Sequence, residues 1–161
     1  MTQGYGFLMS TSAITVIIFQ FWVTRRIKNR PPFLMMALGS MFYMIGFGLF
    51  GFVAAYWLFA LNIVIVTIGE MIVMPVSQAL AANFAPKDMR GRYMAFFGLT
   101  WAIPAIVGPG AAGLILDNMN PNLLWYVAGI LCAVAAFAYY ILHLRLGHRK
   151  RFAPVPTGEQ A

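Results

Sequence analysis

The basic residues of this chain are confined to three short clusters, and each cluster lies at the end of a long apolar run. All eleven Lys and Arg residues fall into them, namely Arg25, Arg26, Lys28 and Arg30, then Lys87, Arg90 and Arg92, then Arg145, Arg149, Lys150 and Arg151. The runs between the clusters carry one charged residue, Glu70, apart from Asp117 at a boundary. This distribution is typical of a protein that crosses a membrane several times with its basic loops on the cytoplasmic side.

The composition supports the same interpretation. Of the 161 residues, 61% are hydrophobic and 9% are charged, whereas a soluble domain has about 25% charged residues. The net charge of +7 does not indicate nucleic-acid binding, because the basic residues flank apolar segments and have no polar face of their own. The single cysteine, Cys132, excludes a disulfide within the chain.

The apolar runs predict an all-α fold, a membrane bundle of five transmembrane helices. We place them at about residues 7–23, 33–54, 57–82, 93–116 and 123–144. The stretch after Pro31 and Pro32 is apolar for about 50 residues, more than twice a bilayer span of about 20, so it must contain two helices and a turn. We predict that turn at Ala54–Trp57, with Tyr56 and Trp57 as interfacial anchors.

The remaining connections follow from composition. The segment Asp117–Asn122 is a turn by its Asp, Asn and Pro content, and residues 145–161 form a basic and then disordered cytoplasmic tail. Because five helices alternate sides, all three basic clusters fall on one side of the membrane. The positive-inside rule therefore predicts an outside N terminus and a cytoplasmic C terminus.

Glu70 lies near the middle of the third predicted helix, where a carboxylate costs about 2.5 kcal/mol or more on insertion scales. Helical spacing places Thr67, Met74 and Ser77 on the same side, with Gln78 at the edge. We therefore predict that this polar stripe lines a cavity, with Glu70 as a candidate proton carrier. A structural carboxyl that is hydrogen-bonded to a neighbouring helix is the equally weighted alternative.

Proline and small residues recur in the third and fourth helices. Pro75 is expected to kink the third helix, although membrane helices also tolerate proline without a functional reason. The fourth helix contains Gly98, Pro104, Gly108, Pro109 and Gly113. Small residues let helix backbones approach closely, so we expect a close helix crossing, with a hinge beside the cavity as the second interpretation. Trp101 and Gly98 could face the cavity.

The first two helices carry weaker signals. Gly39 and Gly46 are two turns apart on one face of the second helix, which predicts helix packing. The Met and Phe residues of this helix are expected to contact lipid, namely Met35, Met36, Met41, Phe42, Met44, Phe47 and Phe50. In the first helix, the polar side chains that could line a path are Ser10, Thr11, Ser12 and Gln20.

No motif of an enzyme is present in the sequence. It lacks a phosphate-binding loop, an H-E-x-x-H zinc motif, paired carboxylates and a nucleophile elbow. We therefore predict no enzymatic activity, no metal site and no cofactor.

Several short motifs occur together in a fixed order. Residues 69–75 read Gly-Glu-Met-Ile-Val-Met-Pro, and residues 85–94 read Ala-Pro-Lys-Asp-Met-Arg-Gly-Arg-Tyr-Met. They are followed by Gly-Leu-Thr-Trp at 98–101 and by a Gly-Pro to Leu-Asp segment at 108–117. This order, from about Gly4 to Leu144, resembles the C-terminal half of major facilitator superfamily transporters, in particular bacterial drug:proton antiporter-like members.

The resemblance implies that the five helices correspond to the family's helices eight to twelve. The chain would then be a fragment that lacks the N-terminal half of the transporter, its expected partner, and the first helix of the second half. The implied function is transmembrane transport of small molecules across the cell membrane, by proton-coupled efflux of a drug or metabolite. Glu70 would be the titrating group, with cavity contacts from Thr67, Ser77, Gln78 and Trp101.

A second hypothesis assigns the chain no transport of its own. It would be a membrane scaffold, or one subunit of a split transporter whose other polypeptide carries the missing helices. Co-purification with such a polypeptide would favour a split transporter, and a stable homo-oligomer would favour the scaffold.

Overall fold

Five long α-helices make up almost all of the structure, a computed structural model that describes residues 2–52 and 56–146. They are α1 (Thr2–Ile27), α2 (Pro32–Phe50), α3 (Tyr56–Phe84), α4 (Arg90–Asn118) and α5 (Asn122–Leu146). A short turn of 3-10 helix, Lys87–Met89, precedes α4. The all-α fold predicted from the apolar runs is confirmed.

Four of these helices, α2 to α5, are long and apolar enough to cross a membrane. The shortest, α2, has 19 residues, which corresponds to about 28 Å and matches a hydrocarbon core of about 30 Å. The helix α1 is also long, with 26 residues. Helices suit the interior of a membrane because lipid offers no hydrogen-bond partner. A helix pairs its backbone N–H and C=O groups internally.

The first two helices begin or end at residues that differ from the prediction. The helix α1 was predicted as residues 7–23 and extends over Thr2–Ile27. The helix α2 was predicted to reach residue 54 but ends at Phe50, with Gly51 as its C-cap. The turn predicted at Ala54–Trp57 therefore begins earlier, and both Tyr56 and Trp57 belong to α3. Residues 54 and 55 lie outside the described residues.

The other three helices are each one to three residues longer at their ends than predicted. The helix α4 continues to Asn118, so the turn predicted from Asp117 is shorter. In that turn the backbone N–H of Asn122 donates to the side-chain oxygen of Asn120, 3.0 Å away, which is an Asx turn that starts α5. The helix α5 runs to Leu146, and the rest of the predicted tail, residues 147–161, lies outside the described part.

Most of the Lys and Arg residues that were predicted to lie in loops belong to helices. Arg25 and Arg26 occupy the last turn of α1, where a positive charge is favourable beside the free carbonyl groups. The Arg26 guanidinium lies over the Trp22 ring, 5.4 Å from its centroid, a cation–π contact. Arg90 and Arg92 begin α4. The true connections therefore hold only Lys28, Arg30 and Lys87 of the predicted loop set.

The helix α2 packs against both α3 and α5, and α1 packs against α3. A buried cluster at the α2–α3 contact contains Met35, Met36, Ile72 and Val76. The prediction that the Met and Phe residues of α2 face lipid is therefore wrong for Met35, Met36 and Phe50, which are buried. It holds for Met41, which is half exposed. Composition misled here because core and lipid surfaces use the same apolar side chains.

The α2–α3 contact depends on glycine. A methyl group on Gly69 would lie 2.9 Å from the Gly39 carbonyl oxygen and 3.1 Å from Phe42 Cβ. A methyl group on Gly39 would lie 2.5 Å from Val73 Cγ2, and Gly46 meets Val66 in the same way. The predicted packing role of Gly39 and Gly46 is confirmed, because only glycine allows these backbones to approach so closely.

The helix α4 is the exception to this packing. None of its residues is buried, and it contacts α3 and α5 only sparsely. A methyl group built on Gly98, Gly108 or Gly113 would meet no atom of the described residues within 4 Å. The close crossing predicted for this helix is therefore not made by any helix that the structure describes.

We predict that Gly69→Ala destabilises the fold by about 1–3 kcal/mol, because the new methyl group meets a backbone carbonyl that cannot move cheaply. Gly48→Ala is the matched control, since its methyl group meets nothing within 4 Å and both changes bring the same helix-propensity gain. The measurement is the unfolding midpoint of each variant in mixed micelles of increasing SDS content. Equal midpoints for the two variants would contradict the packing argument.

Candidate functional site

A cavity of about 440 Å³ lies between α1 and α3. Its polar lining consists of Gln20 from α1 and Glu70 and Gln78 from α3. The apolar lining consists of Val16, Met71, Met74 and Pro75. The volume falls within the range of small-molecule sites, and an apolar wall with a few polar groups is their usual composition.

Helical periodicity explains why these side chains meet. Glu70, Met74 and Gln78 are spaced four residues apart on α3, so they lie above one another on one face. Val16 and Gln20 have the same spacing on α1 and form the facing wall. Because α3 binds α2 through Gly69, the neighbouring Glu70 is turned by about 100° toward α1.

Glu70 carries the one formal charge of the cavity lining. It is half-buried, and it forms no hydrogen bond or ion pair with the residues that the structure describes. The amide of Gln20 donates through Nε2 to the Thr24 hydroxyl oxygen at 3.1 Å, which leaves the Gln20 carbonyl oxygen as an acceptor. The cavity thus offers a carboxylate and amide oxygens in an otherwise apolar setting.

Pro75 contributes to the site through its backbone. The helix α3 continues through Pro75, which has no N–H to donate to the carbonyl oxygen of Met71 four residues earlier. Both residues line the cavity. That carbonyl oxygen therefore lacks its usual helical donor, in the residue next to Glu70.

The structure brings together some of the predicted cavity residues and separates others. Glu70 and Gln78 line the cavity. Thr67 does not line it, and it is 2% exposed. Ser77 also lies outside the lining, and its hydroxyl donates to the Met74 carbonyl oxygen at 3.0 Å. Trp101 lies on α4, is 45% exposed and does not line this cavity.

The predicted hinge residues of the fourth helix also lie apart from the cavity. Pro104 and Pro109 are within α4, which continues through both, and both are exposed, as is Gly98. Their roles in packing or hinge motion stay predictions. Of the polar residues named in α1, Gln20 lines the cavity and Ser10 is exposed, whereas the side chains of Thr11 and Ser12 lie outside the described part.

Sequence reasoning overlooked two kinds of residue. Val16 and Met71 line the cavity, and the i, i+4 pair of Val16 with Gln20 was the available signal. Asn62 was also missed. It is 2% exposed, and its Nδ2 donor has no partner among the described residues, although a polar residue in an apolar run was visible in the sequence.

Comparison with known proteins identifies the architecture. The profile of the Major Facilitator Superfamily matches residues 2–160. The chain belongs to the Major Facilitator Superfamily. The predicted resemblance is confirmed at this level, and the spanning helices are those of a multi-pass membrane protein.

Curated relatives carry transporter names. The MFS-type transporter YdeE of Escherichia coli is 27% identical over 157 residues, which is 96% of this chain and 37% of that protein. The MFS-type transporter YhjO of Bacillus subtilis is 29% identical over 85 residues, 53% of this chain and 21% of the relative. A Na(+), Li(+), K(+)/H(+) antiporter of Planococcus maritimus is 22% identical over 106 residues, 66% of this chain and 25% of the antiporter.

The chain spans little more than a third of the length of its Escherichia coli relative. No solved structure matches the chain.

Membership of a family of transporters confirms the prediction that the chain is not an enzyme. In the described part, no group of three or more His, Cys, Asp or Glu side chains could hold a metal ion.

We predict that water reaches Gln78 but not Thr67. In a Cys132→Ser background, Gln78→Cys should react with a cationic methanethiosulfonate reagent, since Gln78 is exposed and lines the cavity. Thr67→Cys should react only after unfolding, because the native residue is 2% exposed. Mass spectrometry of the intact chain in nanodiscs measures both.

Ile106→Cys provides the control for lipid exposure. Ile106 is 79% exposed on α4, yet a charged reagent should react slowly with a thiol that faces lipid. Reaction of Thr67→Cys as fast as Gln78→Cys would contradict the cavity boundary given above.

Proposed function

We propose that the chain forms part of a secondary transporter that exports small molecules across the cell membrane in exchange for protons. The observation that carries this proposal is the Glu70 carboxylate in the α1–α3 cavity, within a membrane-spanning helix and without a cationic partner in the lining. Intramembrane acids of this kind are expensive to insert and mark ion or substrate pathways.

The chemistry of the cavity suits exchange. An ionised Glu70 attracts a proton or a positively charged group, and a protonated Glu70 is neutral and can release that group. The amide groups of Gln20 and Gln78 add hydrogen-bonding partners that accept or donate whichever form is present. Occupancy of one carboxylate by either a proton or a substrate couples the two fluxes.

The names of the relatives support this proposal. One of them is named as an antiporter of monovalent cations and protons, and two others are named as MFS-type transporters. Proton-coupled efflux of a drug or metabolite, in the manner of the drug:proton antiporters, is the subtype that we propose. The substrate contacts would come from Gln20, Gln78 and the Met74 side chain.

Transport needs a second unit, and the surface of α4 supports this. In this fold, substrate binds between two halves that rock about a shared site. The unburied surface of α4, where methyl groups built on three glycines would meet no atom, and the greater length of the relatives both favour a partner that supplies further helices. We propose that this partner is the N-terminal half of the transporter, encoded upstream or on a separate polypeptide.

The same face leaves a second candidate function open. A subunit of a split transporter, or a non-transporting scaffold, would also present an unburied helix to a partner. Affinity purification of the chain from its native membrane separates the cases. A co-purifying polypeptide that carries the missing helices indicates a split transporter, and a stable homo-oligomer indicates a scaffold.

We further propose that the basic clusters face the cytoplasm. Arg25, Arg26, Lys28 and Arg30 would then share one membrane side with Lys87, Arg90 and Arg92 and with the C terminus. The described residues at the opposite ends of the helices, 51–52 and 119–121, contain no Lys or Arg, as the positive-inside rule requires.

We predict that Glu70→Gln abolishes proton-driven transport. The amide keeps the size and polarity of the side chain but cannot exchange a proton. The chain, expressed together with the segment that precedes it in its genome, would be reconstituted in liposomes, and substrate flux would be followed with and without an imposed pH gradient. The variant should show no difference between the two conditions.

Asp117→Asn is the matched control, because it removes an exposed carboxylate at the end of α4 and should leave the response to the gradient intact. Glu70→Asp should retain part of the response. If Glu70→Gln still responds to the gradient as the unmodified protein does, Glu70 is not the coupling group.

A further inference from the structure

A second cavity lies outside the candidate transport site, in the groove between α2 and α5. It has a volume of about 630 Å³, and its residues carry no ionisable side chain other than Tyr126. The Tyr126 hydroxyl lies 3.4 Å from the Gly51 carbonyl oxygen, to which it donates a weak hydrogen bond. The groove thus presents an apolar surface, and its polar group is directed to the backbone.

Two glycines form the floor of this groove. A methyl group on Gly48 would meet nothing within 4 Å, whereas one on Gly129 would lie 3.4 Å from the Gly48 nitrogen. The helices therefore approach closely there while the missing side chains leave space above them. Large apolar side chains form the rim, since Ile45 and Leu49 are each 41% exposed and Ile130 is 63% exposed.

The position of the groove restricts it to one leaflet. On α5 it extends from Tyr126 to Ala133, which is seven residues or about 10 Å along the axis. Half of a hydrocarbon core measures about 15 Å. The groove therefore begins about one turn inside the start of α5, near Gly51, and reaches about the middle of that helix.

The rim indicates which occupant fits. Helix–helix interfaces in membranes are enriched in small residues. The glycines of α4 suit such an interface. The α2–α5 groove instead has a small floor between exposed Ile, Leu and Phe side chains, so a thin flexible chain can enter but a helix cannot seat deeply. An acyl chain has this shape and apolar chemistry.

Charge selects among lipids. The described residues at this end of the helices include Asp117 and no Lys or Arg, so a lipid headgroup with a net negative charge would find no cation there. We infer that the α2–α5 groove binds one acyl chain of a zwitterionic phospholipid from the leaflet at the Gly51 end. This site is independent of the proposed transport.

Photolabelling of the chain in nanodiscs tests this inference. The probe is phosphatidylcholine with a diazirine at the middle of one acyl chain, and peptide mapping locates the products. Labelling should concentrate on Ile130, Ala133 and Met44. Gly48→Leu fills the floor, and labelling there should fall about threefold or more, as expected when a few packed atom pairs are lost.

Gly108→Leu on α4 is the matched control, because it also adds a side chain where nothing lies within 4 Å and should leave labelling of the groove unchanged. Helix content by circular dichroism verifies that both variants fold, and the map of the unmodified chain needs no variant. Even labelling of all lipid-facing helices, or cross-linking of the groove to a second copy of the chain, would overturn the inference. Stronger labelling by an otherwise identical phosphatidylglycerol probe would overturn the headgroup assignment.

Discussion

The confinement of Lys and Arg to the helix ends and connections leaves long apolar runs, and these runs constrain the whole fold. Because the long apolar runs have no water to bind, each forms a helix that satisfies its own backbone, and packing must then hold the helices together. The Gly39–Gly69 contact shows how this works, since two backbones meet where a single methyl group would not fit. That contact fixes the rotation of α3 and so directs Glu70 toward α1.

The packed helices leave two kinds of unburied surface, one on α4 and one between α2 and α5, and the chemistry of the two differs. On α4, Gly98, Gly108 and Gly113 have nothing packed on them, which leaves room for another helix. The α2–α5 groove presents a glycine floor beneath large aliphatic side chains, which suits lipid. The contrast supports our proposals that α4 meets a further helix and that the groove meets lipid.

Much of the fold was readable from the sequence, because length, hydropathy and charge position depend on residues one at a time. The cavity was readable only where helical spacing alone decided it, as for Glu70 and Gln78. Thr67 shares their side of α3 but is buried, and Trp101 lies on a helix that does not reach the cavity. Burial depends on neighbouring helices, and sequence periodicity does not specify which helix packs on which face.

We propose that the chain threads the bilayer with its basic connections inside the cell. Labelling of intact cells with a membrane-impermeant maleimide tests it most directly, in a Cys132→Ser background with a new cysteine at Asn29 or at Asn120, both exposed. Asn120→Cys should react from outside the cell. Asn29→Cys should react only after the membrane is permeabilised. Equal reaction at the two positions in intact cells would contradict it.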